Sequence, residues 1–205
     1  MIGCTHSVGL NAFVARVVDV QASTGSGLPI FVFSGNPDSS AREGRDRVRP
    51  AIANSGFKFP DARVTVALSP AEMPKIGPGF DLAIAVALLA ATDQVSTQLL
   101  DSTVFLGELA LDGGLRPIRG VLPAVIAARQ RGFRRVVVPL ECVAEAALVE
   151  GMDVGGARNL AEVVQWAEGR LTLDTVHDAT PVDPPSVPDM ADVAVSYTHL
   201  RAHET

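Results

Sequence analysis

The stretch KIGPGFDLAIAVALLAA, Lys75 to Ala91, decides how the rest of the chain is read. Its first half is a turn: Gly77 and Gly79 permit positive φ or close approach, Pro78 stiffens the path between them, and Phe80 anchors the entry to a helix. Asp81 stands where a carboxylate caps a helix or faces its positive end. From there the residues are helical in length and apolar throughout, with no amphipathic stripe. A glycine-rich turn running into a helix is also how phosphate loops and nucleophile turns look, so each has to be tested on its residues.

Both fail. A phosphate loop needs GxxxxGK[ST], in which backbone amides cradle phosphate, the lysine neutralises it and the hydroxyl holds magnesium. Here Lys75 precedes the glycines and no GK[ST] occurs anywhere. A dinucleotide GxGxxG fails as well, because GPGFDL has no third glycine at the required place. A nucleophile elbow needs Ser or Cys at the turn, and the turn offers Gly77, Pro78, Gly79 and Phe80. A structural turn with a helix start at Asp81 remains.

Upstream, ARVTVALSP (Ala62 to Pro70) alternates as a strand that stops at proline. AFVARVVDVQ (Ala12 to Gln21) and LPIFVF (Leu28 to Phe33) read as two further strands around the turn STGSG, an arrangement that predicts an antiparallel pair. Between these and ARVTVALSP, Asp38, Ser39 or Ser40 caps a helix with Ala41, Val48 and Ile52 on one face and Gly56 at its end. Gly44 and Pro50 predict a kink or an early stop near Arg49.

Downstream come a strand at TVFLGELA, a tight turn at LDGG, a short strand LRPI and a helix from about Val121 to Arg131. The last third alternates RRVVVP, LECVAEAALVEG, MDVGGA and NLAEVVQWAEG, a strand and helix rhythm that indicates buried parallel pairing. The fold class is therefore mixed α/β (α+β), antiparallel at the beginning and more parallel at the end.

At 205 residues, 47% of them apolar, the chain buries one sizeable core, and with 5% aromatics that core is made of Ala, Val and Leu. A net charge of -6 argues against a whole-surface footprint for nucleic acid and leaves room for a local basic patch. Cys4 and Cys142 have neither disulfide-framework nor zinc spacing and read as small apolar fillers in a reducing cytoplasm. The longest apolar run, Leu82 to Ala91, is 10 residues, against roughly 20 for a membrane span. A soluble, cytoplasmic protein without membrane contact is expected.

Beyond Leu173 the text turns proline-rich and aperiodic, which reads as a linker over 174–193, and 194–205 reads as a non-native read-through tail. Its HLRAH has the i, i+4 spacing of zinc ligands but no third ligand, so no metal site is assigned.

Other groups have modest readings. Arg42, Arg45 and Arg49 share a helix face and suit a DNA or subunit contact, or a solvated face paired with Glu43 and Asp46. Glu108 and Asp112, with Arg116 and Arg119, could pair carboxylates for acid-base or metal work, but a hairpin turning at Asp112-Gly113 explains them more simply. His6 and His177 are isolated from any triad partner, and Trp166 reads as core.

Taken together, the run from Gly27 to Ala91, the run LGELALDGGLRPIRGVLPAVIAARQRGFRRVVVP and the run EAALVEGMDV resemble the amino-terminal domain of the Mg-chelatase-like AAA+ ATPases of the YifB/ComM family. The resemblance covers about Val8 to Asp192 and makes 1–173 the domain proper. Such domains are similar to the Lon protease domain, whose fold is that of ribosomal protein S5 domain 2. Setting PKIGPGFD on the Lon serine turn puts Gly79 at the serine, and setting RGVLPAVIAA on the Lon lysine helix puts Ala124 at the lysine. Both members of the dyad are missing, which leaves no covalent route for a peptidase.

The resemblance also implies an ATPase core beginning near PDMADV (Pro188 to Val193), although no Walker A is present in these residues. No catalytic, cofactor-binding or metal-binding residue is therefore assigned to the chain, which looks like the front part of a longer protein. ATP and magnesium, a hexameric ring with the chain's own AAA+ module, and DNA branch migration in recombination or transformation are expected of the full-length parent. A Lon-like serine-lysine peptidase and a magnesium chelatase subunit are the alternatives.

Overall fold

The computed structural model describes residues 2–11 and 14–175. The expected tail, His177 and nearly all of the expected linker lie outside the described residues. In chain order the elements are β1 (Ile2–Asn11), β2 (Val14–Gly25), β3 (Phe31–Ser34), α1 (Ser39–Asn54), β4 (Arg63–Ser69), α2 (Asp81–Ala91), β5 (Thr103–Phe105) and β6 (Glu108–Leu109). They continue with β7 (Leu115–Arg116), α3 (Val121–Gln130), β8 (Arg135–Pro139), α4 (Val143–Ala146), β9 (Asp153–Ala157) and α5 (Leu160–Ala167).

Seven strands form one sheet in the order β3-β4-β2-β1-β5-β8-β9, and β6 and β7 make a separate small hairpin. β1, β2 and β4 pair antiparallel, whereas β5, β8 and β9 run parallel to one another and to β1. The antiparallel beginning and parallel end expected from the sequence are both present. Period-2 burial drives the first half: Val18, Val20 and Ala22 of β2 and Val64, Val66 and Leu68 of β4 all point into one apolar cluster. Helices α1, α2 and α5 cover that face, while α3 and α4 cover the other.

Helix α2 lies at the centre. All 11 of its residues are buried, and burying each large aliphatic side chain contributes on the order of 2 kcal/mol. It crosses β1 so closely that a side chain at Gly3 would collide with the Ala87 carbonyl, and Thr5 donates its hydroxyl to the Ala83 carbonyl at 2.9 Å.

One strand was not anticipated and four expectations need correction. β1 is a full central strand that the pattern conceals, because its inward positions are the small Gly3, Thr5 and Ser7 demanded by the nearness of α2. β3 does not pair antiparallel with β2: β2 runs through Ser23, Thr24 and Gly25, β4 lies between them, and β3 pairs parallel with β4. α1 does not stop near Arg49 but continues to Asn54 with Pro50 inside it; Pro50 lies on the side of the helix away from the buried face, where a helix carbonyl left without its amide partner is not sealed in the core. TVFLGELA is two strands, broken at Gly107. Cys4 is exposed rather than a core filler, unlike the buried Cys142.

Asp38 is the helix cap of α1, its carboxylate accepting from the Ala41 amide at 2.7 Å. At the other end, Asp174 remains attached to the sheet: its carbonyl accepts from the Gly156 amide at 2.8 Å and its carboxylate pairs with Arg158. Among the described residues no helix is long and apolar enough to cross a membrane.

Candidate functional site

The turn from Lys75 to Asp81 is tied down from three sides. Its beginning lies against the cap of α1, with the Lys75 carbonyl accepting from the Asp38 amide at 2.9 Å and the Lys75 amide donating to Asn36 at 3.2 Å. Gly77 has φ 84°, which glycine adopts freely. At the far end Gly107, from the break between β5 and β6, donates to the Gly79 carbonyl and accepts from the Leu82 amide, both at 3.1 Å. Phe80 is buried and precedes the helix, as its anchoring role requires.

Asp81 does not cap the helix with its side chain, although its place at the helix start allowed that. It is the first residue of α2, and its carboxylate turns toward α1, where Arg47 grips it with Nε at 2.6 Å and a second nitrogen at 3.1 Å. The Leu109 amide donates to it at 3.3 Å. Asp81 is 1% exposed, and burial pushes its carboxyl up to about 6, with the Arg47 guanidinium and the Leu109 amide pulling the other way. Arg47 is correspondingly held further above its already high value by its bond to Asp81. The pair needs Gly44: a Cβ there would lie 2.7 Å from an Asp81 oxygen.

Lys75 is wholly buried, which nothing in the sequence pattern signals. Its ammonium donates to the Pro70 carbonyl, and burial lowers its pKa. It holds the base of the turn and does not reach the cleft.

That cleft, of about 470 Å³, opens over Gly77, Pro78 and Gly79 between Leu10 and Ile118. Glu108 and Arg119 are its ionisable lining residues, and among the described residues no Ser, Thr, Cys, His or Lys lines it. Gly79 therefore sits in an open site, as a nucleophile position would. A Cβ on Gly79 would meet only the tip of Ile118, at 3.3 Å. Ala124 does not line the cleft. It lies in the first turns of α3, 2% exposed, among Val8, Val104 and Val121 in the second apolar cluster.

The remaining sequence candidates separate. Arg42, Arg45 and Arg49 are all exposed on α1; Arg45 bonds Asp46 at 2.9 Å, and Glu43 lies 4.0 Å from Arg47. Asp112 serves the hairpin tip, accepting from Gly114 at 2.9 Å, while Glu108 stands opposite Arg116 in the β6–β7 register and lines the cleft, so the two carboxylates do not act together. His6 is not isolated: Nδ1 lies 2.9 Å from Asp19 and its ring 4.8 Å from that of Phe133. Trp166 is half-buried at the core's edge rather than within it, under Arg135. Among the described residues no three His, Cys, Asp or Glu side chains converge on a metal-sized site.

The family model for the ChlI subunit of Mg-chelatase matches residues 18–142, which contain both the turn and the hairpin. The chain belongs to this Mg-chelatase-like family. Within it, an uncharacterised protein of Mycobacterium bovis is 43% identical over 94% of the chain and 38% of its own length. The competence protein ComM of Haemophilus influenzae is 40% identical over 78% of the chain and 31% of its own length. YifB of Salmonella typhimurium is 36% identical over 91% of the chain and 36% of its own length, which places the chain with the YifB/ComM branch. Lon protease 2 of Bacillus subtilis is 29% identical over 62% of the chain and 22% of its own length. The mixed α/β fold is thus the Lon-like, ribosomal S5 domain 2-like one. The chain spans less than two-fifths of the length of the ChlI-family relatives named here.

Proposed function

We propose that this chain is the non-catalytic, Lon-like amino-terminal domain of a ComM/YifB-type AAA+ ATPase, and that its parent is an ATP- and magnesium-driven motor that moves DNA branch points during recombination or natural transformation. The similarity to ComM over most of the chain carries the reading. The cleft supports it from the chemical side, since Gly79 supplies no hydroxyl to attack and no lysine or histidine among the described residues lines the cleft to take a proton. In this reading the parent is a cytoplasmic hexameric ring, and the domain contributes to assembly or to engagement of the DNA.

The test is made on the parent protein, the reading frame that contains this chain together with its ATPase core. Purified parent is expected to migrate a four-way DNA junction with ATP and magnesium, and to lose that activity when the Walker A lysine of its ATPase core is changed. The match to the chelatase subunit favours a second reading, ATP-driven insertion of magnesium into a porphyrin. Porphyrin metallation in the presence of the other chelatase subunits, with no effect on junctions, would replace the first reading by the second.

A further inference from the structure

The buried face of α1 is formed by Ala41, Gly44, Val48, Ala51 and Ile52. At 100° per residue, Arg47 falls on the flank of that face turned toward α2, while Arg42, Arg45 and Arg49 fall together on the opposite flank. That second flank reaches the end of the sheet, because the Arg49 guanidinium lies 5.2 Å above the ring of Phe59. Phe59 in turn stacks at 6.1 Å and 18° on Phe31 of β3, which lies 5.1 Å from Phe33. β3 is the edge strand, and all three rings are half-buried, with one side on the core and the other accessible. In a chain with 5% aromatics, three rings in a row beneath a guanidinium form a concentrated π surface.

Charge extends along the same ribbon. Arg42, Arg45 and Arg49 span roughly 10 Å of helix, and the exposed Lys58 sits between Phe57 and Phe59. Glu43 and Asp46 oppose them. Asp46 is engaged by Arg45 and Glu43 lies toward Arg47, which leaves Arg42, Arg49 and Lys58 without an ion-pair partner among the described residues. Half-exposed aromatic rings beside a row of cations form the surface on which single-stranded nucleic acid binds, with bases stacked on the rings and the backbone tracking the charges.

We propose that the α1–β3 flank is a binding site for single-stranded DNA, with Phe31, Phe33 and Phe59 as the stacking platform and Arg42, Arg45 and Arg49 as the backbone contacts. The proposal deepens the recombination reading and rests on it for the choice of DNA. A single strand is favoured over a duplex because the rings are useful only to bases that are already unstacked.

Fluorescence anisotropy of the 205-residue chain with labelled oligo(dT) tests it. Binding at low salt, about 50 mM, is expected, with affinity falling as salt rises. Arg42→Ala, Arg45→Ala and Arg49→Ala together are exposed changes that leave the fold intact; they are expected to weaken binding at least tenfold and to flatten the log–log salt slope by about 2. Phe31→Leu with Phe59→Leu keeps apolar volume at the sheet edge and should weaken single-strand binding roughly fivefold or more, with the salt slope unchanged. Circular dichroism reports whether that pair folds, and Phe59→Leu alone, which removes one half-buried ring of the platform and no charge, supplies the same comparison if it does not. Absence of binding at about 50 mM salt overturns the site. So does binding that responds to the arginines alone, or equal preference for a duplex, or capture of an acidic peptide in place of DNA. If the parent migrates junctions while the flank binds nothing, this site falls and the recombination reading stands. If the flank binds and the parent does not migrate junctions, the reverse holds.

Discussion

Helices α1 and α2 are joined by the Arg47–Asp81 pair, and they bury charge in opposite ways. α2 is apolar from Leu82 to Ala91 and places its single charge at its first residue, wholly out of water. α1 buries five small or aliphatic residues on one face, leaves Arg42, Arg45 and Arg49 in solvent, and sends Arg47 alone inward. The difference is one of cost. A charge on α1's outer face loses little hydration, whereas Asp81 loses nearly all of it and keeps its place only because a guanidinium and an amide replace the water. The turn before α2 and the centre of α1 are therefore one structural unit, although they are far apart in sequence.

Breaking that unit has the largest expected effect. Arg47→Ala leaves the Asp81 carboxylate buried with one amide donor and should cost about 3–5 kcal/mol at neutral pH, read from urea denaturation. The corresponding change on the outer flank, Arg45→Ala, should leave the urea midpoint indistinguishable from that of the unmodified chain. A loss below about 1 kcal/mol for Arg47→Ala would remove the contrast between the helices.

The pH dependence sharpens the same point. The folded value of Asp81, about 6, lies above its ordinary 3.8. The folded chain therefore retains a proton that the unfolded chain releases between those values. Stability from this group is fully present below the lower value and is lost as pH rises through the upper one, by up to about 3 kcal/mol. Asp81→Asn is expected to flatten the fall in stability between the two values, and the penalty for Arg47→Ala is expected to shrink toward the acid end. A wild-type profile that rises over this window by the same amount as the Asn variant would contradict the raised value.

Gly44→Ala comes next. In an exposed helix interior this change usually gains about 1 kcal/mol. Here the new Cβ meets an Asp81 oxygen at 2.7 Å, so a loss of roughly 1–3 kcal/mol is expected, relieved in an Asp81→Ala background. A smaller effect than that of Gly44 is expected at Ser7, whose hydroxyl is buried on β1 without a hydrogen-bond partner among the described residues. Ser7→Ala should stabilise the chain by about 1 kcal/mol in thermal or urea unfolding, and a clear loss would reveal a partner for that hydroxyl.

The two helices also differ in how legibly they are written. α2 announces itself, because ten uninterrupted apolar residues after a glycine turn leave no other reading. The helix start at Asp81 and the anchoring Phe80 come directly from the same stretch. The partner of Asp81 does not, since helical spacing groups Arg42, Arg45 and Arg49 and sets Arg47 aside. The available signal was Gly44: a glycine in mid-helix marks close approach, and the cation one turn later serves whatever approaches. β1 was hidden for the converse reason. A strand under a helix that crosses this closely must carry Gly3, Thr5 and Ser7 on its inner face, and such a strand lacks the alternation by which strands are recognised. Parallel pairing of β3 with β4 was illegible because it depends on a strand inserted later in the chain. The vacancy at Gly79 was readable from the resemblance alone, while the burial of Ala124 away from the cleft required the fold.

The proposed function makes the Lys75–Asp81 turn a protease-like scaffold whose cleft does not carry protease chemistry. Hydrolysis of fluorescein-labelled casein by the purified chain and by its Gly79→Ser variant tests this most directly. Space at Gly79 allows the serine to fold, with a stability change within about 1 kcal/mol, and no lysine or histidine among the described residues lines the cleft to act as its base. Neither protein is expected to cleave casein. Cleavage by the unmodified chain that disappears when Glu108 or Arg119 of the cleft is changed would contradict the claim.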